Sequence, residues 1–184
     1  MPRRSLHVEP EGPLAIARHY VRELIYGAND GIITTFAVVA GVAGGGLSLP
    51  VVLIIGAANL LADGLSMAVG NYLSITSHES VLEAQKLPEE EASPFRHAGV
   101  TFVAFVIAGS VPLVPYMLPP WPIDRFASSV ALTLFAMFAV GASRALIANV
   151  RWWKAGLEML GLGAVVAALA YGSGAFVAGL FDLS

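Results

Sequence analysis

The 184 residues contain no cysteine. Disulfides, iron–sulfur clusters and thiolate sites are therefore excluded, and any metal chemistry falls to carboxylate, thioether, imidazole, amide or backbone oxygen. Charge is the second scarcity. Asp, Glu, Lys and Arg make up 12% of the chain, about half of the quarter usual in a soluble domain. An apolar leader is also missing, because Arg3 and Arg4 are followed by acidic, proline-containing sequence; no cleavable signal is expected. What fills the chain is hydrophobic, at 57% of residues. Charge-free runs occupy 31–62, 64–78, 97–123, 126–143 and 159–181. Most reach or exceed the roughly 18 residues of a membrane-spanning helix. The pattern excludes a soluble enzyme, a disordered chain and a nucleic-acid binder. It predicts an all-α, polytopic membrane protein with the lipid bilayer as a partner.

The punctuation predicts five spans, at about 23–45, 51–77, 97–117, 125–148 and 155–180. Residues 1–22 read as a cytosolic, flexible tail followed by a short amphipathic helix on the headgroups. In that helix Leu14, Ala17, Tyr20, Val21 and Leu24 oppose Arg18 and Arg22. Gly44-Gly45-Gly46 ends the first span and Pro50 restarts the chain. The second span continues as a wetted helix into a short acidic connection, 78–96. Pro112, Pro115, Pro119, Pro120 and Pro122 form the turn after the third. With the N-terminus inside, nine of the ten Lys and Arg residues lie on the inner side, and only Arg125 lies outside. The positive-inside rule therefore places the N-terminus in the cytosol. Trp152 and Trp153 read as interface anchors, and Glu158 as a snorkelling residue or a partner of Lys154.

Two acids stand deep in apolar sequence, Asp30 in the first span and Asp63 in the second. An ionised group there costs a few kcal/mol unless protein or water receives it. No basic residue shares their depth, so a metal ion, a proton or water must satisfy them; a neutral, hydrogen-bonded packing acid is the plainer reading. In span two, Asn59, Asp63, Met67, Asn71 and Ser74 fall on one helical stripe, with Ser66 and Gly70 beside it. Such a stripe either lines a hydrated path or joins helices by hydrogen bonds. Within it the Met67 thioether becomes a candidate soft ligand rather than mere filler. In span one Glu23, Gly27, Asp30, Thr34, Gly41 and Gly45 share a face, with Glu23 near the inner mouth. Gly27–Gly31 and Gly41–Gly45 are small-xxx-small pairs expected to pack helices. If span one meets its copy across a twofold axis, two Asp30 carboxylates oppose one another, repelling when empty and holding a divalent cation when filled. Glu79 and Glu83, with His78, Glu89, Glu90, Glu91 and His97 nearby, form either a cation-attracting mouth or an ordinary solvated acidic loop.

The stretches YGANDGIITTFAVVAGVAG (26–44) and ANLLADGLSMAVGNYLS (58–74) resemble the vacuolar iron transporter family, including its short prokaryotic members. Asp30-Gly31 and Ser66-Met67, with Gly70 and Ser74, carry the match. The resemblance implies a homodimer with the ion path between the two copies of spans one and two. It implies ferrous iron, sometimes manganese, leaving the cytosol in exchange for protons, with no permanently bound cofactor. By similarity Asp30 and Met67 match intramembrane metal-site residues, and Glu23 an acid near the cytosolic entrance. The membrane would be the cell membrane in a prokaryote and a vacuolar-type membrane in a eukaryote. Two departures accompany the match. Family members insert a Glu- and Met-rich metal-collecting domain between spans two and three, where this chain has only about 78–96, and many carry Glu where Asn71 stands. Asp63 is a candidate substitute for that acid. The rival reading is a non-transporting metal sensor or membrane scaffold on the same fold.

Overall fold

The computed structural model describes residues 5–91, 93–119, 124–146 and 150–181. Arg3 and Arg4, the turn prolines Pro120 and Pro122, the expected end of span four beyond 146 and the C-terminal residues 182–184 lie outside them. The described residues form α1 (Pro13–His19), α2 (Val21–Gly44), α3 (Leu49–Ala84), α4 (Pro94–Gly109), α5 (Val114–Met117), α6 (Arg125–Ser143) and α7 (Trp152–Phe181). Five stretches are long and apolar enough to cross a bilayer: α2, α3, the α4–α5 unit, α6 and α7. The protein is an all-helical integral membrane protein.

Each helix boundary has a local cause. Gly46, at φ 68°, takes the left-handed turn that ends α2, and Leu47 N–H returns to the Val42 carbonyl at 3.0 Å. Pro50 then sits in the first turn of α3, where its missing N–H is harmless. Asp124 caps α6 by accepting from Ala127 N–H at 2.8 Å. Span three departs from the expectation that Pro112 and Pro115 belong to the turn. The chain stays helical to Met117, tightening to a 3₁₀ turn at Val111–Leu113 where Pro112 cannot donate. The 36 residues of α3 extend about 54 Å at 1.5 Å per residue. That exceeds a hydrocarbon core of about 30 Å, so the acidic end of α3 projects past the membrane.

α2 is the central helix, packed on α4 and α7 most extensively and on α3 and α6 besides. Its glycines decide these neighbours. A Cβ on Gly27 would lie 2.6 Å from the Thr101 carbonyl oxygen, and one on Gly31 would strike the Phe105 carbonyl oxygen of α4. At the other end Gly41 and Gly44 approach α7, where the Gly174 backbone meets the Gly41 carbonyl. Gly45 is buried at the hairpin. Lipid offers helices no hydrophobic reward for pairing, so close backbone approach of this kind supplies the attraction instead. Phe36, Val39, Ala40, Leu60 and Phe105 fill the core between α2, α3 and α4. Much of α7 faces outward, including Leu162, Val165, Leu169 and Phe176.

The N-terminal segment departs from a flexible tail. Ser5 pairs with Glu89 in a parallel bridge, Leu6 N–H donates to the Glu89 carbonyl at 2.7 Å, and Arg96 holds Glu9 at 2.8 Å. Glu158 meets Arg144 at 3.5 Å, while Lys154 lies over the Trp153 ring.

Candidate functional site

α2 and α3 run antiparallel through the hairpin, which carries Asp30 and Asp63 to the boundary between them. Both are half-buried. No hydrogen bond or ion pair to either carboxylate occurs among the described residues. Thr34 Oγ1 donates to the Asp30 carbonyl oxygen at 2.8 Å, and Asn59 Nδ2 reaches Thr34 Oγ1 at 3.5 Å. Thr34 and Asn59 are thereby brought together beside the acids. Met67, one turn beyond Asp63, is half-buried against the α2–α3–α4 core. Asn59 and Thr34 thus meet across the α2–α3 boundary next to Asp30, and Asp63 and Met67 follow Asn59 along α3 at one-turn steps, with no ion pair to either acid among the described residues.

The lower half of the expected stripe separates. Asn71 Nδ2 donates to Thr101 Oγ1 at 2.9 Å, and Thr101 in turn donates to the His97 carbonyl at 3.0 Å. Asn71 thus ties α3 to α4. Ser66 and Ser74 are exposed on the outward side of α3, as is Gly70. Glu79 Oε1 accepts from the backbone N–H groups of Glu90 and Glu91 at 3.0 and 2.8 Å, shaping the connection after α3. Glu83 is exposed on the last turn of that helix.

Glu23 lies at the start of α2, about 10 Å along the axis from Asp30. Its side chain is only 2% exposed. Arg22 Nη2 holds its Oε1 at 2.9 Å, and His97 Nδ1 lies 3.2 Å from the same oxygen. The other face of His97 meets Glu91 Oε2 at 2.9 Å. Glu23 is thus enclosed by an arginine and a histidine rather than open to solvent.

A model of the VIT family matches residues 21–92 and 81–175, from the start of α2 into α7. The chain belongs to the VIT family. Among its curated relatives, a protein named vacuolar iron transporter 1 from Arabidopsis thaliana is 25% identical, over 90% of this chain and 93% of its own. Vacuolar iron transporter homolog 5 from Oryza sativa subsp. japonica is 31% identical over 78% and 77%. The vacuolar iron transporter of Toxoplasma gondii reaches 46%, over 71 residues that make up 39% of this chain and 24% of its own. The Arabidopsis alignment runs over 232 residues, more than the whole of this chain, so that relative carries residues this VIT-family chain does without. The two matched stretches overlap at 81–92, across the last turn of α3 and the connection to α4.

Sequence reasoning missed several residues of this VIT-family chain that gather around the N-terminal end of α2. Thr101, Arg22, His7 and His19 were absent from the candidate set, and His97 and Glu91 stood in it only as neighbours of the acidic loop. His97 is buried although it directly follows Arg96, and a lone buried histidine at the start of a span was the available signal.

Proposed function

We propose that the protein is a secondary transporter that carries divalent transition-metal ions, Fe²⁺ and also Mn²⁺, out of the cytosol in exchange for protons. It works as a homodimer, with the ion path bounded by α2 and α3 of both copies and the N-terminus in the cytosol. The observation that carries this reading is the pair of half-buried acids, Asp30 and Asp63, with no cationic partner among the described residues and with Met67 one turn from Asp63 on α3. Carboxylate oxygen with a thioether suits an ion at the borderline of hard and soft. Family membership supports the same reading, since several relatives bear the name iron transporter.

The dimer is supported by what α2 leaves uncovered. Its glycine faces are filled by α4 and α7 of the same protomer. Tyr26, Asp30, Ile33 and Ala37, spaced at three- and four-residue steps, remain partly or fully exposed. A copy packed on this strip brings the second Asp30 toward the first. Ion and proton then compete for the same carboxylate lone pairs, so protonation from the far side releases the ion without a separate coupling device.

The test is Fe²⁺ uptake into proteoliposomes with and without a pH gradient. Gradient-stimulated flux that Asp30→Asn abolishes is the expected result. Undiminished flux in Asp30→Asn refutes the site, and metal binding without any flux favours the sensor or scaffold instead.

A further inference from the structure

Passage through the membrane uses none of the four histidines of the chain, and three of them gather in one place. His7 on the N-terminal segment, His19 at the end of α1 and His97 at the start of α4 converge on one carboxylate oxygen. Glu91 Oε2 lies 3.7 Å from His7 Nδ1, 4.0 Å from His19 Nε2 and 2.9 Å from His97 Nε2. One donor atom each from His7, His19 and Glu91 falls within 4.8 Å of the other two. The rings pack edge-on or tilted, His7 to His19 at 5.5 Å and His19 to His97 at 5.1 Å.

Burial sharpens the case. The His7 side chain is 7% exposed and that of His97 2%. His7 Nε2, His19 Nε2, Glu91 Oε2 and both His97 ring nitrogens are buried without an aligned hydrogen bond. Buried polar atoms normally find partners, and unpartnered buried nitrogens on both His7 and His19, beside the Glu91 carboxylate, are atoms that a cation would satisfy. Donors that sit about 2.0–2.2 Å from a shared ion must lie a few ångströms from one another, which is the spacing here.

We infer that His7, His19 and Glu91 form a second divalent-metal site, outside the spans, which clamps the N-terminal segment to the α3–α4 connection. Two imidazoles and a carboxylate select a first-row transition ion over Mg²⁺ or Ca²⁺. The surroundings hold the donors in place. The Ser5–Glu89 bridge and the Arg96–Glu9 pair fasten the segment on either side of His7, and Glu79 fixes the backbone N–H of Glu91. His97 is a positioning residue, set between Glu91 and the buried Glu23. The site therefore joins the N-terminal segment to the inner end of α2. It does not rest on the transport reading.

The experiment titrates the full-length protein in detergent with Co²⁺, read by its d–d absorption. An Asp30→Asn, Met67→Ala background removes two of the three proposed intramembrane ligands and leaves Asp63 without them, so failure here and failure of the transport reading are separate results. One Co²⁺ with imidazole-type absorption is expected to remain in that background and to be lost on His7→Ala, His19→Ala or Glu91→Gln. His78→Ala is the exposed control and leaves it unchanged. His97→Ala weakens it about 10–100-fold, the range for an outer-shell partner. Hydrogen exchange at residues 5–9 and 87–91 slows with Co²⁺ in the unmutated protein and not in His7→Ala, whose substitution touches no membrane span. Equal Co²⁺ affinity in His7→Ala, His19→Ala and His78→Ala overturns the inference. So does an absence of Co²⁺ binding in the Asp30→Asn, Met67→Ala protein.

Discussion

Replacing Gly31 by alanine adds a single methyl group at the closest approach between α2 and α4. In an unobstructed helix interior this exchange stabilises by about 1 kcal/mol, because glycine loses more backbone freedom on folding. Gly161 on α7 is such a position, with nothing within 4 Å of an added Cβ. At Gly31 the Cβ strikes the Phe105 carbonyl oxygen and lies 3.0 Å from Phe105 Cα. These are backbone atoms and cannot rotate aside, so the helices must part. Overpacking of this kind costs about 1–3 kcal/mol, and parting also loosens Phe105, which is fully buried. The net expectation is a cost of about 0–2 kcal/mol after the propensity gain is subtracted, which leaves Gly31→Ala about 1–3 kcal/mol less stable than Gly161→Ala. Asp30 is the preceding residue, so the displacement also moves a candidate ligand and should weaken metal binding. Denaturant unfolding in one detergent, run beside Gly161→Ala, measures the difference. Equal stability of Gly31→Ala and Gly161→Ala would refute the claim that glycine contact sets the α2–α4 spacing.

The Asn71–Thr101 hydrogen bond predicts a coupling of about 0.6 kcal/mol, the usual size inside a membrane, in a double-mutant cycle of Asn71→Leu and Thr101→Val. Arg22→Gln removes the guanidinium from the buried Glu23, and since Arg22 is itself exposed the loss should be about 1–3 kcal/mol by the same unfolding assay. Asp63→Asn removes the repulsion across the α2–α3 boundary together with one ligand; equilibrium binding should show weaker Mn²⁺ affinity, and unchanged affinity would exclude Asp63 from the site.

The span count was legible because charge is so scarce that its few occurrences mark the helix ends. The stripe on α3 was legible too, since helical periodicity places Asn59, Asp63 and Met67 on one face whatever they pack against. Periodicity does not say which neighbour that face meets. Asn71 shares the stripe with Asp63, yet it turns to Thr101 on α4, a choice made by how the helices cross rather than by spacing. The same holds for Gly27 and Gly31, whose small-residue signal announces contact without naming α4. The end of span three at Met117 was legible, but Pro112 and Pro115 read as part of the turn because proline marks a break only statistically, and the 3₁₀ turn at Pro112 absorbs the missing donor. Least legible was the histidine cluster. His7, His19 and Glu91 come from three separate segments, and only tertiary packing of the N-terminal segment on the α3–α4 connection brings them together.

The central claim is that the transported ion pauses at Asp30. Anomalous diffraction from crystals grown with Mn²⁺ locates it directly. The account predicts a peak within about 2.0–2.3 Å of an Asp30 carboxylate oxygen, the usual range for divalent-ion coordination by oxygen, on the strip shared by two copies of α2 and near Met67. A peak elsewhere within the spans, with Asp30 unliganded and turned to lipid, would contradict it.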